Sequence, residues 1–450
     1  MPPRRAAVSC PVSPGSDGEI GRIGGQVGWE RDLEVQHCRF CQTELVHSMV
    51  DLGTSPLCQD HVTPEHFDRA EPTYPLHARV CHECLLVQVG TPVKPEEIFG
   101  DGDYAYFSSF SDSWLAHARD YTEKMTARFG LDASTPVVEL ASNDGYLLQY
   151  FKKAGVPVLG IEPASNCAAA ARQKGIESVV AFFGRDTANR VAADHGRPTL
   201  LLGNNVLAHV PDINDFVSGM KILLAPGGVI TMEFPHLMRL VEENQFDTIY
   251  HEHFSYLSCT TVERIFAHHG LRLFDVEELP THGGSLRIFA CHDDDARANE
   301  SAVEELKGRE KAAGMLDMAY YEAFGEQVRE TKRKLLTFLI ERKRAGDTIV
   351  GYGAPGKGNT LLNYCGIRTD FVDYTVDRNP HKQGNYLPGS RIPIHAPEKI
   401  FETKPDYVLI LPWNLRKEIS ESMAGIGEWG GKFVVPIPEV EVFDAPEGTS

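Results

Sequence analysis

The chain has no run of about 18 uninterrupted apolar residues, the length a helix needs to span a bilayer, so nothing in it reads as a membrane segment. It is short of positive charge: 44 Lys and Arg stand against 63 Asp and Glu, a net charge of −19. Nucleic-acid binding needs a concentrated basic surface, and this balance argues against such a partner. It says little about small anions, which need only a few local donors. The opening stretch "MPPRRAAVSCPVSPGSDGEIGRIGGQVG" has arginines but no apolar core after them, so it is not a secretory signal. Its Gly, Ser and Pro content reads as a disordered leader over residues 1–34. A cytoplasmic protein is expected, in which thiols or metal thiolates are favoured over disulfides.

What is present fits a soluble globular chain, 42% hydrophobic and 24% charged, and 450 residues is long enough for two or three domains. Four of the ten cysteines form two C-x-x-C pairs, Cys38 and Cys41 in "HCRFC" and Cys81 and Cys84 in "RVCHECLL". Each pair brings two thiolates to one metal radius, and two pairs complete a closed, structural zinc tetrahedron. The gap between them is longer than in a compact zinc ribbon, so a small independent fold over 35–100 is expected to fill it. The bland alternative is four unconnected core cysteines, which the doubled spacing disfavours.

From "TPVVEL" onward strand and helix patterns alternate: "VVEL", "YLLQYFKKAG", "VPVLGIE", "TLLLGNNVLAHV", "NDFVSGMKILLAPGG", "GGVITMEFP". This βαβ succession predicts a doubly wound sheet over 101–296. Residues 297–345 are helical in pattern, and a second α/β unit follows to residue 450 in "DTIVGYGAPGKGNTLLNY", "FVDYTVDRNP" and "PDYVLILPW".

In the first unit Glu139 closes one strand, Ala141 to Gly145 form the turn, and Glu162 closes the next strand. A nucleoside wants such a turn for close backbone approach and a second carboxylate for its ribose hydroxyls. The G-x-G-x-x-G that a dinucleotide needs is missing here. A turn holding Asn143 and Asp144 suits a cationic amino-acid tail instead, which describes S-adenosylmethionine. Phe182 and Phe183 are placed to cover the adenine, with Asn204, Asn205 and His209 near the transferred methyl. Acidic strand ends that merely cap helices are the plainer alternative.

The cluster "YHEHFSYLS" packs Tyr250, His251, Glu252 and His253 together. Read alone, it is a polar loop, a proton-transfer site or a metal site. Two histidines at i and i+2 do not share a helix face as in H-E-x-x-H, and no third ligand is evident.

The tandem C-x-x-C pairs, "YAYFSSFS", "ELASNDGYLL", "NNVLAHVPD", "YHEHFSYLS", "HGGSLR" and "GYGAPGKGNTLL" occur in this order. Together they resemble the S-adenosylmethionine-dependent C-methyltransferases that branch nucleotide-linked 4-keto-6-deoxyhexoses for antibiotics. The resemblance covers nearly everything after the leader. It implies a zinc module, a central Rossmann-like class I methyltransferase domain, and a C-terminal Rossmann-like domain without a cofactor of its own. It also implies thymidine diphosphate as the carrier and carbon 3 as the commoner methylation position, with carbon 5 the other neighbour of the ketone.

Methylating carbon requires removing a proton first, and a neighbouring ketone makes that feasible by spreading charge onto oxygen. The enzyme then needs a base near the C–H, donors near the oxygen, and the methyl sulfonium aligned with the carbon. A histidine suits the base, worth about 10²–10⁴-fold; the role falls to His253, as the resemblance also implies. Glu252 would orient or tune the ring. Tyr250 would donate to the enolate oxygen, with His209 or Tyr104 sharing the work. His251 is expected to structure the loop.

For the sugar nucleotide, Tyr106, Ser108 and Ser109 are expected over the sugar or nucleotide, and His282 and Arg287 of "THGGSLR" near a pyrophosphate. Lys357 and Asn359 of "GAPGKGN" are expected near the phosphates. The same stretch fits G-x-G-x-x-G through Gly351, Gly353 and Gly356, with Asp377 closing the next strand, so an NAD(P)-dependent oxidoreductase, or a bifunctional methyltransferase and ketoreductase, is the main rival. An inactive zinc-dependent interaction protein and an O- or N-methyltransferase are the others. Nothing in the sequence signals an oligomeric state.

Overall fold

Each C-x-x-C pair folds as a tight knuckle. In the first, the Gln42 amide donates to the Cys38 carbonyl and the Cys38 amide to the Thr43 carbonyl; in the second, Leu85 donates to Cys81 and Cys81 to Leu86. The residue after each second cysteine sits in the left-handed region, Gln42 at φ 63° and Leu85 at φ 66°, where glycine is ordinarily favoured. These details come from a computed structural model that describes residues 36–90, 93 and 107–446. Tyr104 and Tyr106 lie outside the described residues, as does the expected leader.

The long gap between knuckles builds β1 (His47–Ser55) and β2 (Tyr74–Val80), and β3 (Val87–Val89) follows the second knuckle; the three pair antiparallel. Their apolar face, with Met49, Leu76 and Ala78, merges into one core with the long helix Met318–Ala345 and the C-terminal sheet. The zinc-bearing segment thus shares its apolar core with the C-terminal part of the chain. From Gln36 onward the chain is one compact unit.

The central sheet uses β4 (Val137–Leu140), β5 (Val158–Ile161), β6 (Ser178–Val179), β7 (Leu200–Asn204) and β8 (Val229–Pro235), all parallel. Every residue of β4 and of β7 is buried, as expected of parallel strands covered on both faces. Next come β9 (Ser255–Tyr256), which leaves this sheet to pair with β3, and the hairpin β10 (Leu271–Leu279) and β11 (Ser285–His292). The order is β10-β11-β8-β7-β4-β5-β6, with β11 antiparallel to both neighbours. The winding reverses between β4 and β7, so a ligand cleft belongs outside their carboxyl ends.

The region expected to be helical gives two helices, Ala302–Ala312 and Met318–Ala345, broken near Gly314 at φ 94° and ended by Gly346 at φ 88°. The last sheet runs β14 (Ile394–His395), β13 (Thr375–Val376), β12 (Ile349–Tyr352), β15 (Tyr407–Ile410), β16 (Lys432–Val435) and β17 (Glu441–Asp444), parallel except for β17. Among the described residues no helix is long and apolar enough to cross a membrane.

Candidate active site

The turn after β4 explains how a ligand site forms with a single glycine. Ala141, Asn143 and Gly145 have φ of 54°, 48° and 75°, three left-handed residues at alternate positions. This is the backbone of a G-x-G-x-G turn carrying Ala and Asn at the first two glycine positions. Gly145 is favoured by its left-handed φ and by the close approach of Ile176 Cδ1 and Ala171 Cβ, 2.5 and 3.3 Å from where a Cβ would lie. Glu162 braces the turn: its two carboxylate oxygens accept from the Asn143 and Ala164 amides, each at 2.8 Å. Burial pushes the Glu162 carboxyl up to about 7.

These elements line one cavity of about 540 Å³. Ala141, Asn143 and Glu162 form its floor, and Phe182 and Phe183 one edge, with Phe183 packed edge-on against Phe216 at 5.2 Å. Asn204 Nδ2 and Asn205 Oδ1 are buried there without a protein partner, as a polar ligand would require. Acidic ribose support, an aromatic edge and unspent amide groups fit S-adenosylmethionine.

The far side of the same cavity carries Tyr250, Glu252 and His253. His253 Nδ1 lies 2.9 Å from the Thr248 carbonyl, which can only accept, so Nδ1 holds the proton and Nε2 the lone pair. The Tyr250 hydroxyl donates to that Nε2 at 2.9 Å. Burial, with help from His209, His282 and Lys357, holds the His253 pKa well below the usual histidine range, so the ring is neutral at pH 7. The His209 ring meets His253 edge-on at 4.6 Å, and burial lowers its pKa to about 4. Glu252 accepts from the buried Cys58 thiol at 3.3 Å, and burial raises its pKa to about 7.

His251 turns away, its Nε2 donating to the Pro75 carbonyl at 3.2 Å, so the two histidines do not converge on one ion. Among the described residues the four cysteines are the group with metal-holding geometry, their sulfurs within 4.8 Å of one another. Sγ separations of 3.5 Å for Cys38–Cys84 and 3.4 Å for Cys41–Cys81 suit a tetrahedral zinc, and Gln88 donates to Cys38 Sγ as thiolates favour.

Of the other expected residues, Ser108, His282 and Lys357 reach the cavity. His282 accepts from Asn205 Nδ2 at 2.9 Å, and Lys357 donates to Asn414 while its ammonium sits over Trp413. Arg287 does not reach it. It is 3% exposed in β11, paired with Glu233 at 2.8 Å and Glu277 at 3.3 Å, so its charge is spent inside the protein. Asp144 is likewise bound to Lys174 at 2.9 Å, and Ser109 Oγ accepts from the same ammonium. Glu139 stands fully buried one layer below the lining, its carboxyl well above the usual range through burial. Asn359 is buried in the helix Gly356–Cys365, away from the lining.

Sequence reasoning missed Trp114, Gln59 and Lys382, all on the cavity wall. The Ser111 hydroxyl that caps the helix Asp112–Phe129, accepting from the Trp114 amide, was a usable signal for Trp114. Lys382 had none: it lies in a loop, donating to the Ala354 carbonyl at 2.8 Å.

A sheet of this order, with a left-handed turn at its switch point, an acid closing the next strand and unpartnered amides in the cavity, is what an S-adenosylmethionine-dependent methyltransferase requires. The chain matches three families, described as a zinc binding domain over 38–99, a methyltransferase domain over 114–276 and a C-methyltransferase C-terminal domain over 280–438. It is 37% identical over 414 residues to the C-methyltransferase NovU of Streptomyces niveus, spanning 91% of this chain and 97% of that one. The chain belongs to the S-adenosylmethionine-dependent C-methyltransferase family. A ubiquinone biosynthesis O-methyltransferase of Chelativorans sp. is 27% identical over 138 residues, 29% of this chain and 53% of that one. Among solved structures, a 1,6-didemethyltoxoflavin-N1-methyltransferase of Burkholderia thailandensis aligns at 17% identity and TM-score 0.34, covering 46% of this chain and 95% of that one.

Proposed function

We propose that the protein methylates a carbon next to the ketone, carbon 3, of a nucleotide-linked 4-keto-deoxyhexose, with thymidine diphosphate as carrier. One observation carries this reading: a single cavity joins the donor turn to the Tyr250–His253 pair and runs on to Lys357 and Lys382. A base beside the donor suits carbon methylation, and two ammonium groups beyond it suit a diphosphate.

S-adenosylmethionine supplies the methyl on a sulfonium whose sulfur leaves as a thioether. His253 Nε2 takes the proton from the acceptor carbon, while the C–H electron pair moves onto the ketone oxygen. The Tyr250 hydroxyl, released from Nε2 as that nitrogen is protonated, donates to the enolate oxygen, and His209 flanks it. The Thr248 carbonyl keeps the His253 ring in the tautomer that this step needs. A bound diphosphate offsets the Lys357 charge that depresses His253, strengthening the base once substrate is present.

The test is mass spectrometry of zinc-loaded enzyme given methyl-deuterated donor and a panel of thymidine-diphosphate 4-keto-6-deoxysugars. One labelled methyl on a sugar carbon is expected, falling about 10³-fold in His253→Ala, with S-adenosylhomocysteine affinity kept. Label on oxygen or nitrogen, or unchanged turnover in that variant, would overturn the reading.

A further inference from the structure

We propose that Arg39, inside the first zinc knuckle, is a positioning residue for the histidine pair, so that the zinc site sets the geometry of proton abstraction and not that of donor binding. The functional part of this rests on the carbon-methylation reading above; the geometric part does not.

Arg39 lies between two zinc ligands in sequence, yet its guanidinium reaches into the catalytic wall. It donates to the Val89 carbonyl of β3 and, at 3.2 Å, to the Pro211 carbonyl of the cavity-lining loop, and it lies 5.5 Å from the Phe254 ring centroid. Phe254 is the residue after His253. Its amide donates to Ala208, the residue before His209, at 2.8 Å, and its carbonyl accepts from the Val89 amide at 3.2 Å. One backbone unit therefore ties both histidines to β3, and Arg39 clamps β3 to the loop that carries His209.

Gln88 closes the circuit. Its backbone pairs with Ser255 of β9, its Nε2 donates to Cys38 Sγ at 3.2 Å, and its Oε1 accepts from the Arg39 amide at 2.9 Å. Cys38 acts on Arg39 electrostatically, with lesser contributions from Tyr256 and Asp212. Four thiolates around a divalent zinc would leave a net negative charge beside this half-buried guanidinium. The donor turn is braced separately by Glu162 through the Asn143 and Ala164 amides. Among the described residues Arg39 meets the donor side only through its carbonyl, which accepts from Asn214 at 3.2 Å on the helix that carries Phe216.

The experiment compares zinc-loaded wild type with Arg39→Met, which keeps most of the side-chain length and removes the fork. Imidazole NMR of the donor-product complex, without any acceptor, reports the ring environments of His253 and His209; zinc content and S-adenosylhomocysteine affinity are measured beside it. Shifted imidazole signals are expected with one zinc per chain retained and affinity within about twofold. With substrate, solvent-deuterium exchange and methyl transfer should fall together by about 10²-fold with KM little changed, as for a misplaced base. If Arg39→Met does not fold, Arg39→Lys, which keeps charge without the fork, should show the same split at smaller size. Unchanged imidazole signals, or affinity falling in step with turnover, would overturn the proposal. Shifted signals in an enzyme that methylates no sugar would leave it standing and discard the substrate reading alone.

Discussion

The protein contains two doubly wound α/β sheets that use glycine in opposite ways. The C-terminal one carries the better fingerprint, Gly351-Tyr-Gly353-Ala-Pro-Gly356, yet protein packs closely against its glycines, although Gly356 also borders the cavity. A Cβ on Gly353 would lie 2.6 Å from Pro412, on Gly356 2.9 Å from Cys58 Sγ, and on Gly358 2.8 Å from Leu411. Asp377 accepts from the Ala354 and Asn379 amides at 2.8 Å, the same two-amide brace that Glu162 makes to Asn143 and Ala164, so the glycines and not the acid separate the two turns. The central sheet has only one of the three turn glycines and nevertheless presents the open left-handed turn. Small residues mark close approach, and whether a ligand or a neighbouring strand makes that approach is decided by the fold.

The largest test of this contrast substitutes the acid after the second strand in each sheet. Glu162→Ala removes the two amide bonds that brace the turn and, on the proposed reading, the carboxylate offered to the donor ribose. S-adenosylhomocysteine affinity, read by calorimetry, should fall about 10³-fold. Asp377→Ala should leave it unchanged, and neither wild type nor this variant should bind NADP(H). A measurable NADPH complex lost in Asp377→Ala would reverse the comparison and revive an oxidoreductase activity.

The seam between the sheets gives a second test, in stability. Glu252 faces Cys58 on one side and Lys382 on the other, with its carboxyl raised from 4.5 to about 7 by burial. A carboxyl whose folded pKa lies above the unfolded one contributes fully below the unfolded value, and the contribution is lost as pH rises through the folded value. Ionising Glu252 between pH 4.5 and 7 therefore costs about 3 kcal/mol. His209 and His282, both lowered to about 4, run the other way and lose stability as pH falls from 6.5 towards 4. Glu252→Gln should gain denaturant stability over wild type above pH 7 and lose that gain near pH 4.5. Equal stability at both pH values would mean that Glu252 ionises freely against Lys382.

How legible all this was in the sequence depends on the range of the interaction. The cysteine pairs, the alternating strands, the acids at 139 and 162 and the Tyr-His-Glu-His cluster announce themselves through spacing within a few residues. The sharing of one sheet by β3 and β9 does not, because its partners stand 167 residues apart at Gln88 and Ser255. For the same reason Lys382 joined the site unannounced, while Arg287, plausible from its neighbours Gly283 and Gly284, is claimed by Glu233 on another strand. Charged residues are the hardest to place from sequence, since one distant carboxylate decides whether they face a ligand or each other.

The smallest effect bears on the turn itself. If residues 141, 143 and 145 form a glycine-type turn in which alanine is tolerated, Ala141 at φ 54° carries about 1 kcal/mol of backbone strain. Ala141→Gly should then stabilise the protein by roughly half that, because glycine's extra freedom in the unfolded chain offsets part of the relief. Donor affinity should stay within about twofold if, as proposed, the turn meets the donor through its backbone. Asn143→Gly should gain less: asparagine suits this region better, and its Oδ1 accepts from the Ser108 amide at 2.9 Å. A tenfold loss of donor affinity in Ala141→Gly would show that the methyl group packs on the ligand, making the departure from glycine a contact and not a tolerated strain.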